Sequence, residues 1–318
     1  MRMMKFGAVA AGMLVAMAAW GCTAKADESA FSGTSAPIPM QEATPIPVSN
    51  ASLEPETPDS APTDRTAILE QLKAKVAAGK PLIAHVIVPL CDNANQGIVK
   101  VGAALGDGQN TRTNLYWGAG YGMRTHFQRQ AEWKTLSLTD PEEPHILERI
   151  VTQRTYPNGA KVILIADAYD GAYMKRSIED YLDALCGKKS GTITAADQQI
   201  PAWSDADLLA FNGHNGLMDN EVADREFTSG QPKDAVVIAC ISHDWFEPHL
   251  RRAHAYPLVT TTNLLAPEAY IMRHIIDAWA MLKSGEEIDA AAAQGNSQYQ
   301  KCSLAASNRL FRTGWASN

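Results

Sequence analysis

The sequence predicts an α/β protein, a three-layer sandwich in which a mostly parallel sheet lies between helices. Short, almost wholly apolar runs recur along the chain, as in strands that are buried on both faces. Segments with apolar residues at helical spacing lie between these runs, and this alternation is typical of parallel sheets with helical crossovers. With 46% hydrophobic and 20% charged residues, the chain of 318 residues has a normal globular balance.

The N-terminus predicts export. Arg2 and Lys5 precede an apolar stretch over residues 8–19, which is the length of a signal-peptide core and short for a membrane span. The Gly21-Cys22 pair that follows resembles the end of a bacterial lipoprotein signal, which implies lipidation of Cys22. Ordinary secretion with cleavage nearby is the alternative. The expected location is the bacterial cell envelope, with the membrane as a partner through the lipid.

Residues 23–63 predict an extended tether. Prolines recur there among small and acidic residues, so the stretch cannot bury enough apolar surface to order itself. Residues 1–22 would then be the signal, 23–63 the disordered tether, and 64–318 a single α/β domain.

Charge and cysteine content narrow the classes of function. A formal net charge of −7 without a basic run argues against nucleic acid as a partner. Four cysteines lie beyond Cys22, and in an oxidising compartment they could form two disulfides, which leaves their pairing open. No Cys-x-x-Cys pair indicates a zinc knuckle, and no cofactor is predicted. The oligomeric state stays open.

The predicted elements follow in chain order. Asp64 caps a first helix, which Gly79 ends. His85 lies inside the first strand and is interpreted as a satisfied core residue. Residues 187–206 are polar and small and predict a surface connection. The strands are predicted at 82–90, 161–169, within the block 207–216, and at 234–240 and 258–262, with a short hairpin partner at 152–156; the helices are predicted at 64–78, 174–185, from about 245, and at 267–282.

A long loop rich in Gly and Asn follows the first predicted strand, over residues 91–127. Long loops in compact domains tend to be functional, and this one carries Tyr116, Trp117 and Arg124. It predicts either a recognition surface or a structural loop that aromatic packing makes rigid, and the sequence leaves both interpretations open.

Two apolar blocks carry the candidate chemistry. The block at residues 207–216 contains a short buried strand that ends on His214, and the block at residues 234–240 ends on Cys240. Because the carboxyl ends of parallel strands are where ligands bind, the two side chains form a candidate Cys/His dyad. Cys240 would be the nucleophile and His214 the acid and base. Backbone amides at Asn215 and Gly216 would stabilise an oxyanion.

These two blocks resemble the caspase-hemoglobinase group of cysteine peptidases (clan CD: caspases, legumains, gingipains and clostripains). The group has a parallel α/β sandwich with His and Cys on neighbouring strands, His first in sequence. The resemblance implies a caspase-like fold, the roles given above for His214 and Cys240, and a peptide or protein substrate. Here Asn215 stands between the histidine and Gly216, where the group has glycine directly after histidine.

Specificity in that group usually comes from charged residues that line a pocket. Asp92, Asp167 and Asp219 follow or end predicted strands, and an acidic pocket would suit Lys or Arg. Each of them is also interpretable as a turn or capping residue. Tyr116, Trp117 and Arg124 of the loop complete the candidate substrate pocket.

Two other functions stay open. The first is a non-catalytic binding module of the cell envelope on the same fold, with the 91–127 loop as its recognition surface. The second is a metallohydrolase, because acidic and imidazole side chains crowd the segment after Cys240. The residues in question are Cys240, His243, Asp244, Glu247, His249 and His254, which His214 and Asp219 could join.

Overall fold

The computed structural model describes residues 63–315. The predicted signal, its Cys22 and almost all of the predicted tether lie outside these residues. The helices are α1 (Arg65–Ala77), α2 (Met123–Gln128), α3 (Met174–Leu185), α4 (Ser242–Arg252), α5 (Ala269–Ala280), α6 (Gly285–Gln300) and α7 (Leu304–Ser307). The strands are β1 (Leu82–Pro89), β2 (Lys134–Thr139), β3 (Ile146–Thr155), β4 (Lys161–Tyr169), β5 (Ser190–Ala195), β6 (Gln198–Trp203), β7 (Leu208–Asn212), β8 (Asp234–Ile238), β9 (Tyr256–Thr261) and β10 (Phe311–Arg312).

Eight of these strands form one mixed sheet in the order β10-β9-β8-β7-β1-β4-β3-β2. The central strands β4, β1, β7, β8 and β9 pair in parallel. The strands β2, β3 and β10 extend the two edges through antiparallel pairing. The prediction of an α/β fold on a mostly parallel sheet is therefore confirmed.

Apolar side chains fill a separate core on each face of the sheet. Alternate residues of β1 point to opposite faces, as the strand period requires. Val86 and Val88 pack with α1, α5 and α6, whereas Ile83 and Ile87 pack with α3 and α4. Burial on both faces explains the uninterrupted apolar runs, and this arrangement is compatible with a three-layer sandwich.

The main departure from the predicted elements is in residues 187–206. They form a hairpin of β5 and β6 in place of an irregular connection. Ala196 and Asp197 turn the chain at φ of 47° and 60°, the positive values that a tight two-residue hairpin turn requires. Ile193 in β5 and Ile200 in β6 are each buried between exposed neighbours. The stretch therefore has a weak alternation of buried and exposed residues, although its composition is polar.

Helix α6 was also not predicted. Ser284 begins it with a capping box, in which the Ser284 hydroxyl accepts from Glu287 N–H and the Glu287 carboxylate accepts from Ser284 N–H.

Within residues 63–315, no helix combines the length and apolarity that crossing a bilayer requires.

Candidate functional site

The strand register places His214 and Cys240 level with each other. The last paired residues of β7 and β8 are Asn212 and Ile238, which lie opposite each other. His214 and Cys240 each follow two residues later, and Gly213 N–H extends the pairing by donating to Ile238 O at 3.1 Å. Both side chains therefore arise at the carboxyl edge of adjacent parallel strands, where ligands bind in folds of this kind.

Cys240 is a half-buried thiol whose hydrogen bond goes to a backbone carbonyl. Its Sγ donates to Leu265 O, 3.6 Å away, in the segment between β9 and α5. Burial raises the pKa of the Cys240 thiol above its usual value, although backbone hydrogen bonding works in the opposite direction. The sulfur is therefore a neutral thiol at pH 7, and its reactivity depends on a base that removes the proton.

His214 is held by a carboxylate. Its Nε2 lies 2.5 Å from Oδ2 of Asp219. The side chain of His214 is 7% exposed and that of Asp219 is 37% exposed, so the pair sits at the surface of the sheet edge. Within residues 63–315, no hydrogen bond occupies the other ring nitrogen, Nδ1. In the neutral ring, the carboxylate favours the proton on Nε2, which leaves Nδ1 with a free lone pair.

Asn215 and Gly216 are built into the backbone around the two strand ends. The Asn215 amide donates from Nδ2 to Cys240 O at 2.7 Å, and its Oδ1 accepts from Leu217 N–H at 3.2 Å. Gly216 N–H donates to His214 O at 3.0 Å. The predicted oxyanion donor at Gly216 is thus directed at its own chain, and Asn215 ties the histidine loop to the cysteine loop.

Tyr116 is a buried residue close to Cys91 and Cys240. The charges of Cys91, Cys240 and Glu268 each disfavour ionisation of its hydroxyl. Burial raises the pKa of Tyr116 well above its ordinary value and that of Cys91 to about 11. Of the aromatic residues predicted for the loop, Tyr116 is the one on which Cys240 acts electrostatically.

Trp117 and Arg124 do not reach the dyad, because both are directed at Glu148 on β3. Trp117 Nε1 donates to Glu148 Oε2 at 2.5 Å, and Arg124 Nη1 donates to the same oxygen at 2.9 Å. Trp117 is fully buried. These contacts fasten the 91–127 loop to the sheet, which matches the structural interpretation of these two side chains.

Asp92 and Asp167 are also engaged within the fold. Asp92 is 2% exposed, and its Oδ1 accepts from Ala94 N–H at 2.8 Å and from Asn95 N–H at 3.1 Å. Asp167 lies inside β4 and is 0% exposed. Its carboxylate pairs with His85 and Arg149. Of the three predicted pocket aspartates, the structure brings only Asp219 to the dyad.

The four cysteines that the structure describes are free thiols. Within the described part of the chain, no group of three or more His, Cys, Asp or Glu side chains is arranged to hold a metal ion. Two residues of the predicted metal cluster, His243 and Glu247, contact each other, with His243 Nε2 3.2 Å from Glu247 Oε2. His243 Nδ1 lies 2.9 Å from Thr260 Oγ1, and His249 lies 3.6 Å from Asp224.

Gly97 is a contact of the site that the sequence did not indicate. Its N–H donates to Asp219 Oδ2 at 3.3 Å, across 122 residues of chain. No local pattern distinguishes Gly97 from the other glycines of its loop, so only the tertiary fold identifies it.

Comparison with protein-family models, with curated proteins and with solved structures finds no match for this chain.

Proposed function

We propose that this chain is an exported cysteine hydrolase, an endopeptidase on a caspase-like fold, with Cys240 as nucleophile and His214 as acid and base. The observation that carries the proposal is the register of β7 and β8, which sets the two residues level at one edge of the sheet. The central parallel strands and the helices on both faces are compatible with that fold. Lipidation at Cys22 and anchoring to the cell envelope belong to the same proposal.

His214 acts first as a base in this mechanism. As the Cys240 sulfur attacks the carbonyl carbon of the scissile bond, its proton passes to Nδ1 of His214 and a C–S bond forms. The imidazolium then returns the proton to the leaving amine as the C–N bond breaks. Water hydrolyses the resulting thioester and restores the thiol. The backbone amide of Cys240 is the donor that we assign to the oxyanion.

The raised pKa of Cys240 determines the protonation state of its sulfur before the reaction. A thiol whose pKa lies above its ordinary value is not ionised at pH 7, so Cys240 rests as the thiol. Proton transfer then has to accompany attack, and removing His214 removes the acceptor. The hydrogen bond from Sγ to Leu265 O also has to break before the sulfur attacks.

Labelling of the intact protein with a peptidyl acyloxymethyl ketone tests the proposal. We expect modification at Cys240, quantified by peptide mass spectrometry, and a rate that falls by about 10²-fold or more in His214→Ala. Cys302 is the matched control within the same chain, because it is also a half-buried free thiol but is hydrogen-bonded to Ser307 at 3.1 Å. Its modification by iodoacetamide should not change in His214→Ala.

Two outcomes would overturn the proposal: absence of modification at Cys240, or an equal rate in the wild type and in His214→Ala. An inert Cys240 would favour the non-catalytic binding module. The engagement of Gly216 N–H with His214 O is the observation that favours this second function.

A further inference from the structure

The Asp219 carboxylate joins the loop after β1 to the histidine of the candidate dyad. Its Oδ2 lies 2.5 Å from Nε2 of His214 and accepts from Gly97 N–H at 3.3 Å. One oxygen atom thus contacts two segments that are far apart in sequence. The 91–127 loop and the imidazole therefore share a single carboxylate.

The backbone beneath Asp219 is fixed from its own side. Asp219 N–H and Asn220 N–H both donate to Gly216 O, at 3.2 Å and 2.9 Å, and the Asn220 side chain donates to the same carbonyl at 2.9 Å. These bonds close a short turn between His214 and Asp219. With the turn fixed, the remaining freedom of the carboxylate is side-chain rotation, and Gly97 restricts that rotation.

A side chain at Gly97 would meet the Asp219 carboxylate. A Cβ atom placed on Gly97 would lie 2.7 Å from Asp219 Oδ1 and 3.2 Å from Oδ2, and real Cβ atoms do not approach other atoms as closely as the first distance. Adding a Cβ atom at Gly97 therefore displaces the carboxylate, which is the movable end of its side chain. At Gly102, in the same loop, an added Cβ atom would have no neighbour within 4 Å.

The loop is anchored on one side of Gly97 and partly exposed on the other. The Gln96 side chain donates to Leu90 O at 2.8 Å and to Gly171 O at 3.0 Å, which anchors the start of the loop to the ends of β1 and β4. Beyond Gly97, Ile98 and Val101 pack against the core, whereas Val99 between them is 67% exposed. A ligand that contacts the exposed residues Gly97 and Val99 acts on the residue that restrains Asp219.

We propose that Asp219 is the positioning residue of His214, and that the 91–127 loop controls it through Gly97. Asp219 holds the proton on Nε2 and leaves Nδ1 as the acceptor, and displacement of the carboxylate releases this tautomer. The inference rests on the proposed function for its catalytic consequence. Its structural content, one carboxylate that couples the loop to the imidazole, concerns the resting protein alone.

The test compares Gly97→Ala with Gly102→Ala in the full chain. Nitrogen NMR of histidine-labelled protein reports the His214 tautomer, with the signal assigned by its loss in His214→Ala. We expect Gly97→Ala to change the Nε2-protonated form into a mixture, and Gly102→Ala to leave it unchanged. Asp219→Asn removes the carboxylate itself and should give the same change as Gly97→Ala.

The rate of Cys240 modification is the second readout. Because small misplacements of catalytic groups cost up to about 10²-fold in rate, we expect a loss of about 10-fold or more in Gly97→Ala and in Asp219→Asn. A changed tautomer with an inert Cys240 would support the coupling and count against the proposed hydrolase. An unchanged tautomer in both Gly97→Ala and Asp219→Asn would overturn the coupling, whatever the reactivity of Cys240.

Discussion

Two His–Asp pairs in this protein differ in what surrounds them. His85 Nε2 lies 2.9 Å from Asp167 Oδ2 in the middle of the sheet, where both side chains are 0% exposed. His214 Nε2 lies 2.5 Å from Asp219 Oδ2 at the carboxyl edge, where Asp219 is 37% exposed. The same pair of residue types thus occurs once in the core and once at the edge where ligands bind.

The hydrogen bonds to each ring separate a structural pair from a candidate functional one. His85 Nδ1 accepts from Trp203 N–H at 3.0 Å, so both nitrogens of that ring are used. Asp167 also accepts from Arg149, at 2.5 Å and 2.9 Å, and its pKa is lowered by His85 and Arg149 although burial alone would raise it. His214 keeps Nδ1 free of hydrogen bonds within the described residues. Among these residues, the unpartnered Nδ1 of His214, more than the residue type, distinguishes the candidate site from the core pair.

The largest expected effect follows from breaking the core pair. Among the described residues, Asp167→Ala leaves the buried Arg149 guanidinium with Glu143 alone as an acidic partner, and the Glu143 side chain is 39% exposed. Removing one partner of a buried ion pair typically costs about 3–5 kcal/mol, so we expect a loss of that size in the free energy of unfolding, measured with urea.

Asp219→Ala is the matched variant at the edge. Exposed pairs contribute about 1 kcal/mol or less, so its unfolding free energy should change little while its Cys240 modification rate falls. Equal destabilisation by the two variants would contradict the distinction between the core pair and the edge pair.

The sequence predicted the strands of the sheet well because burial on both faces leaves a local record. An uninterrupted apolar run such as the one in β4 has few other interpretations, and the observed strand has the predicted bounds of residues 161–169. The same reasoning supplied His214 and Cys240, because a reactive side chain after a buried strand is a local pattern as well. The hairpin of β5 and β6 was missed because its alternation is short and its exposed residues dominate the composition.

The contacts around the dyad were not predictable, because each joins residues that are distant in sequence or depends on a turn. The carboxylate of Asp219 was predicted to line a pocket, and its proximity to His214 depends on the turn that Gly216 O closes. Its second contact, with Gly97, spans 122 residues. Trp117 and Arg124 were predicted to line a pocket because aromatic and basic side chains in a long loop often bind ligands. Both instead donate to Glu148, and the local sequence does not indicate this distant partner.

Lys233 is a third case for comparison with the two His–Asp pairs, because its buried ammonium group donates to backbone carbonyl groups. Its Nζ donates to Ser204 O and Ala206 O, and burial lowers its pKa from 10.5 to about 8, although Asp207 and Asp205 act in the opposite direction. Between those two values the unfolded chain binds a proton that the folded chain has released. Raising the pH through this range therefore favours the folded state.

Lys233→Met isolates that contribution, because groups common to both proteins cancel in the difference. We expect the unfolding free energy of the wild type, relative to Lys233→Met, to rise by about 3 kcal/mol at most between about pH 7.5 and pH 10.5. Urea denaturation of both proteins at a series of pH values measures it. A difference that stays flat over this range would show that Lys233 is solvated like a surface lysine.

Asp289 on α6 tests the same principle with a carboxylate, and its expected effect is smaller than that of Lys233. Its Oδ1 is buried and has no hydrogen-bond partner among residues 63–315, and burial, with a contribution from Glu286, raises its pKa from 3.8 to about 6. The folded state then binds the proton more tightly than the unfolded chain, so this contribution is fully present below pH 3.8 and is lost as the pH rises through 6.

Asp289→Asn removes the charge and keeps the shape of the side chain. Because Asp289 is partly exposed, we expect the variant to be more stable than the wild type by about 1–2 kcal/mol near pH 7, with the advantage disappearing near pH 4. Thermal or urea unfolding at the two pH values measures the change. An advantage that persists at the lower pH would mean that the charge on Asp289 is not its source.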